Sequence, residues 1–126
     1  MTIKIKALAR KNPQDITAPP KYYATKVNQG EISLKKLSAT IAQMSTVSKT
    51  DVYAVLMAFT EIIPPSLEEG KIVRLGDLGS FHISLKSTVS DSAEEVSASN
   101  VERLKLMFRP SFELKNQVEG FAVSKI

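Results

Sequence analysis

Five cations in the second half of the chain occupy alternate positions in strand-like stretches. Arg74 lies between Val73 and Leu75, Lys86 follows Phe81, Ile83 and Leu85, and Arg103, Lys105 and Arg109 are interleaved with Leu104, Leu106 and Phe108. A period of two sends such residues to the face opposite their apolar neighbours. That leaves one face for a core and one free for an anionic partner. Any half-buried strand needs polar residues at alternate positions, so the pattern alone defines a face and not a ligand. A second basic group is N-terminal: residues 1–36 hold Lys4, Lys6, Arg10, Lys11, Lys21, Lys26, Lys35 and Lys36 against Asp15 and Glu31, a net +6. The remainder is net −2, giving the formal +4 of the whole chain. The basic bias is compatible with an anionic partner, although solvated lysines also serve solubility.

Other chemistry is scarce. The one histidine, His82, stands on an alternating stretch with no companion at metal-ligand spacing, and there is no cysteine for thiolate chemistry or a disulfide framework. Gly76 and Gly79 lack the Lys-Ser/Thr step and helix start of a phosphate loop, and no serine sits in a nucleophile-elbow pattern. The carboxylates Asp91, Glu94 and Glu95 fall in a polar stretch unsuited to a preorganised acid/base pair. The expected class is therefore non-enzymatic, with no cofactor, metal or small-molecule substrate. At 126 residues and 43% hydrophobic, the chain has a single-domain length and enough apolar residues for a core. No apolar run approaches the roughly 20 residues that span a bilayer, and MTIKIKALARKNP alternates lysines instead of forming a signal peptide's apolar segment. A cytoplasmic location with no membrane partner is the default expectation.

The elements that position these residues follow from periodicity and punctuation. GKIVRLGDLGSFHISL, Gly70 to Leu85, reads as a β-hairpin: two alternating runs around Gly76, Asp77, Leu78 and Gly79. Upstream, residues 2–9 and 22–27 read as strands, separated by the proline-rich KNPQDITAPP loop. Ser33 caps a first helix with Leu34, Leu37, Ile41 and Met44 on one stripe. Ser48, with Asp51 in an acidic capping box, starts a long second helix. Pro64 and Pro65 are expected to interrupt that helix, with a kink or restart at 66–69 before Gly70 acts as C-cap. Residues 87–100, STVSDSAEEVSASN, are expected to form a mobile hairpin tip. Val101 to Arg109 gives the last main strand, and Pro110 and Ser111 open a short helix from Phe112 to about Val118, with Gly120 as its stop.

This order resembles the HU/IHF family of bacterial histone-like DNA-binding proteins over roughly Ile32 to Val118. The helical pair ISLKKLSATIAQMSTVSKTDVYAVLMAFTEII, the turn and hairpin LEEGKIVRLGDLGSFHI and the ending MFRPSFELKNQV carry the likeness. Its most family-typical steps are Gly79-Ser80-Phe81 and Phe108-Arg109-Pro110-Ser111. With its KNP and KYYA segments, the N-terminal stretch is similar to longer HU-related proteins of Bacteroides-type bacteria.

The resemblance implies an α+β, IHF-like fold and an intertwined homodimer, with a β extension over 1–31 and the DNA-binding domain over 32–126. Phe59, Phe81 and Phe108 would be core or dimer-interface residues. Double-stranded DNA would meet a saddle of Arg74, Lys86, Arg103, Lys105 and Arg109, with Lys4 and Lys6 as further contacts from the extension. The family's bending members carry a basic arm with a proline wedge at its tip. Residues 87–100 have neither, and their three carboxylates repel phosphate, which argues against sharp bending. The rival expectation is a module with the same fold that contacts proteins and not DNA.

Overall fold

In a computed structural model that describes all 126 residues, the chain forms two compact units, Ser33–Asn116 and Met1–Ile32 with Gln117–Ile126. The sequence division at 31/32 assigned the last ten residues to the helical unit. They instead belong with the N-terminal strands.

In the larger unit, α1 (Leu34–Gln43) and α2 (Lys49–Glu68) pack against each other and are joined by a short turn. Ser33 Oγ accepts from the Lys36 amide and Ser48 Oγ from the Asp51 amide, each at 3.2 Å, so both helices start where the capping residues predict. Only the serine half of the second capping box forms. Ser38 is fully buried in α1, its hydroxyl donating to the Leu34 carbonyl at 2.8 Å. This satisfies the one buried polar side chain of the chain. The expected restart at 66–69 does not occur: the helix continues through Pro64 and Pro65 to Glu68. The prolines deprive the Thr60 and Glu61 carbonyls of partners, but Thr60, Glu61 and both prolines are exposed, where solvent can take over. Buried Leu67 anchors the final turn, and Gly70, at φ +81°, ends it with its amide on the Leu67 carbonyl.

The same unit holds a three-stranded antiparallel sheet in the order β3 (Val73–Arg74), β4 (Gly79–Ser87), β5 (Val101–Pro110). The turn between β3 and β4 is closed by the Leu75 amide on Gly79 O and the Leu78 amide on Leu75 O. Residues 87–100, expected to form a mobile hairpin tip, join β4 to β5 through two single-turn 3-10 helices, Ala93–Glu95 and Ala98–Asn100. Asn100 organises them. Its Nδ2 donates to Thr88 Oγ1 and Ser90 Oγ, each at 3.0 Å, and its Oδ1 accepts from the Ser97 amide at 2.8 Å. Side-chain hydrogen bonds of this kind, to other side chains and to backbone, let a polar segment fold without an apolar core.

The smaller unit is a second three-stranded sheet, in the order β2 (Lys21–Lys26), β1 (Ile3–Arg10), β6 (Val123–Lys125). The β1–β2 pair is antiparallel and the β1–β6 pair parallel, with Ile3 opposite Val123. α3 (Phe112–Glu119) leads toward β6. No helix is long and apolar enough to cross a membrane.

Candidate functional site

The β3–β5 sheet sorts its side chains into two faces through its register. Val73 pairs with Phe81, which pairs with Phe108; Ile83 pairs with Leu106 and Leu85 with Leu104. The alternate set pairs Arg74 with Ser80, Ser80 with Arg109, His82 with Met107, Ser84 with Lys105 and Lys86 with Arg103. Cross-strand partners share a face. All five cations of the sequence reading, Arg74, Lys86, Arg103, Lys105 and Arg109, therefore stand on one side, with Ser80, Ser84 and His82 among them. Lys4 and Lys6 are not part of this face. They lie on β1 of the other unit, where Lys4 Nζ donates to Ser124 Oγ at 3.2 Å and Lys6 is exposed.

One contact on this face was not legible in the alternation. The ladder is irregular after Lys86: Lys86 opposes Arg103 while Ser87 opposes Val101, leaving Glu102 as an extra residue on β5. The bulge turns the Glu102 carboxylate onto Lys86 Nζ at 3.4 Å. An exposed ion pair of this kind contributes at most about 1 kcal/mol and is screened by salt, so Lys86 is tethered without being withdrawn. Arg74, Arg103, Lys105 and Arg109 make no ion pair within the chain.

The far end of the sheet is held by two steps of sequence that the register makes direct partners. Gly79-Ser80-Phe81 lies opposite Phe108-Arg109-Pro110, with the Phe81 and Phe108 ring centroids 5.0 Å apart and tilted by 48°. Gly79 is buried at φ +146°, where a side chain is strained, and a Cβ there would strike the Arg109 carbonyl and the Phe108 ring. Glycine thus lets the two strands close up and brings Arg109 beside Ser80. Ser111 completes the lock: its amide donates to Leu78 O at 3.1 Å and its hydroxyl to Asp77 O, while the same Oγ caps α3 by accepting from the Leu114 amide at 3.0 Å. Arg74 and Arg109 flank a pocket of ≈ 260 Å³ at this end, with Ser80 and Ser111 in its wall. The face can attract anions and donate hydrogen bonds. It holds no arrangement of nucleophile and base.

The opposite face of the sheet is apolar and open. Leu104 is 66% exposed, Leu106 61% and Phe108 43%, and together with Ile83, Ile63 and Leu67 the two leucines line a groove of ≈ 680 Å³ against the end of α2. Phe59, read from the sequence as a core or interface residue, is 38% exposed. Val52 and Leu67 are the only buried large apolar residues.

Comparison with solved structures places this architecture. A chain from Bacteroides vulgatus ATCC 8482, described as a candidate bacterial DNA-binding protein, superposes with a TM-score of 0.67 at 10% identity over 99% of the present chain. The present chain spans about half of that one, 48% of its length. Anabaena HU, from an HU–DNA cocrystal structure, matches with a TM-score of 0.56 at 20% identity, over 71% of this chain and 99% of its own. At such identities the likeness is one of fold. No protein of curated function matches the sequence. A family profile covers residues 1–125, both units included, and by that match the chain belongs to the HU-HIG family, described as an HU domain fused to a wHTH, Ig or glycine-rich motif.

Proposed function

We propose that the chain is a non-enzymatic, histone-like DNA-binding protein of the bacterial nucleoid. It acts as a homodimer and contacts duplex DNA through phosphates, largely independently of sequence. The observation that carries this reading is the register that puts Arg74, Lys86, Arg103, Lys105 and Arg109 on one sheet face, four of them free of carboxylate partners. Guanidinium and ammonium groups on a fixed strand ladder suit phosphate oxygens and supply no base-edge code. Family membership and the HU–DNA neighbour support the same ligand. Lys4 and Lys6 add contacts from the smaller unit.

The homodimer rests on unburied surface. An independently folded chain of 13.8 kDa exposes roughly 6,600 Å², whereas this one exposes 10,745 Å². With only Val52 and Leu67 buried among the large apolar residues, the apolar sheet face and the groove at Ile83, Leu104 and Leu106 require a cover. A second copy supplies a matching apolar face by symmetry. The folded tip at 88–100, with Asp91, Glu94 and Glu95 and no proline, contributes repulsion instead of a wedge, so binding proceeds without sharp bending.

Titration against duplex DNA at rising salt tests the reading. A dimer presenting four free cations per protomer gives a log–log slope of roughly 7. Charge reversal at Arg103 and Lys105 weakens binding to all sequences alike. Absence of binding at low salt removes the proposal and leaves a protein-interaction module on the same fold.

A further inference from the structure

The smaller unit carries a charge problem that nothing within the chain resolves. Residues 1–32 and 117–126 contain seven Lys/Arg and three Asp/Glu, the whole net +4 of the molecule, whereas 33–116 contain ten of each. Three of the seven cations meet at one end of β1–β2. Arg10 and Lys21 are direct cross-strand partners, Lys11 follows immediately, and no carboxylate forms an ion pair with any of them. Like charges directly opposite in a ladder are destabilising. The nearest acid in sequence, Asp15, is turned inward on its own loop: its Oδ1 accepts from the Thr17 hydroxyl at 2.6 Å and the Thr17 amide at 3.1 Å. The hydroxyl bond first, then the amide bond, holds its carboxyl below the usual carboxylate value.

The cations are also arranged. Arg10 lies over the ring of Tyr23, its guanidinium carbon 5.7 Å from the centroid, which restricts the guanidinium to one side of the strand end. Arg10, Lys11 and Lys21 line a pocket of ≈ 310 Å³ whose remaining wall includes Tyr23, Pro13 and Pro19. Three donors around a concavity with an apolar wall suit a tetrahedral anion attached to a sugar or base.

We infer that this strand end is a second nucleic-acid site, in which Arg10, Lys11 and Lys21 hold a phosphodiester group and Tyr23 and the prolines carry its organic part. The site is separate from the β3–β5 face and stands whether or not that face binds DNA. The bound phosphate supplies the counter-charge that the Arg10–Lys21 pair lacks.

The test uses the full chain carrying Arg103→Gln and Lys105→Gln, so that the sheet face is weakened, and follows amide resonances during titration with a 12-base-pair DNA duplex, with inorganic phosphate and with poly-glutamate at matched ionic strength. DNA is expected to move Arg10, Lys11, Lys21 and Tyr23. Adding Arg10→Gln and Lys21→Gln is expected to lower the salt slope by about 2 units per protomer engaged, roughly one per cation. Without ligand, Lys21→Gln alone is expected to raise the thermal midpoint, because it removes the like-charge pair. Resonances that stay unmoved at saturating DNA overturn the inference, as does an equal response to poly-glutamate or a response confined to inorganic phosphate. Loss of binding through Arg103 and Lys105 alone bears on the sheet face and not on this site.

Discussion

Lys86 and Arg103 face each other directly across the β4–β5 ladder, and the residue squeezed out beside them, Glu102, sets its carboxylate 3.4 Å from Lys86 Nζ. The bulge thus relieves a like-charge pair and lowers the positive potential at one end of the cationic face. Glu102→Gln is expected to raise affinity for duplex DNA by about threefold at low salt and by less at high salt, since screening removes the difference. Fluorescence anisotropy with a labelled duplex reads both. Unchanged affinity would place the DNA path away from Lys86.

Gly79→Ala is expected to cost about 2–4 kcal/mol of stability, combining a disfavoured backbone with a clash against Arg109 and Phe108. Urea unfolding measures it. Alanine at Gly76, where φ is +58° but no atom lies within 4 Å of a Cβ, is expected to cost only about 1 kcal/mol. The difference between the two isolates the close approach of the strands.

Ser111→Ala removes the cap of α3 and the bond to Asp77 in the hairpin turn together. A loss of about 1–2 kcal/mol is expected. Hydrogen exchange should speed up at both Leu114 and Leu78, because one side chain serves both places.

On the proposed homodimer, the unfolding midpoint is expected to rise with chain concentration, because association links folding to mass action. Leu106→Asp, on the open apolar face, is expected to shift the solution mass toward the monomer while leaving Arg74 and Lys105 in place. Analytical ultracentrifugation distinguishes the two states, and a concentration-independent midpoint with a monomeric mass contradicts the dimer.

The hairpin, the two capped helices and the alternation of β5 were readable in the sequence because each rests on a local rule: glycine-bearing turns, serine caps and a period of two or 3.6. The co-facial cations follow from that period once strands are paired, so five of the seven candidate residues share one sheet face. Lys4 and Lys6 lie on β1 of the other unit, and their place there depends on β1 pairing with β2 and β6. β6 itself is three residues long, too short to show a period, and only its distant partner makes it a strand. Pro64 and Pro65 misled for a related reason. A proline's effect depends on whether the carbonyls it orphans can reach water, which is a property of packing. Glu102 was hidden because a bulge shifts parity by one residue, which alternation alone does not reveal. The 88–100 segment has no apolar face to betray its 3-10 turns, which are linked to Thr88 and Ser90 through the Asn100 side chain.

The parallel pairing of Ile3 with Val123 ties together residues about 120 positions apart. At about 5–20 residues per second of synthesis, that edge of β1 waits roughly 6–24 s for its partner after being made. The helical pair and the β4–β5 hairpin, whose contacts are local in sequence, can form in that interval. The chain is therefore expected to mature from the middle outward, with its basic N-terminal sheet completed last and β1 open to strand pairing with a neighbouring nascent chain until then.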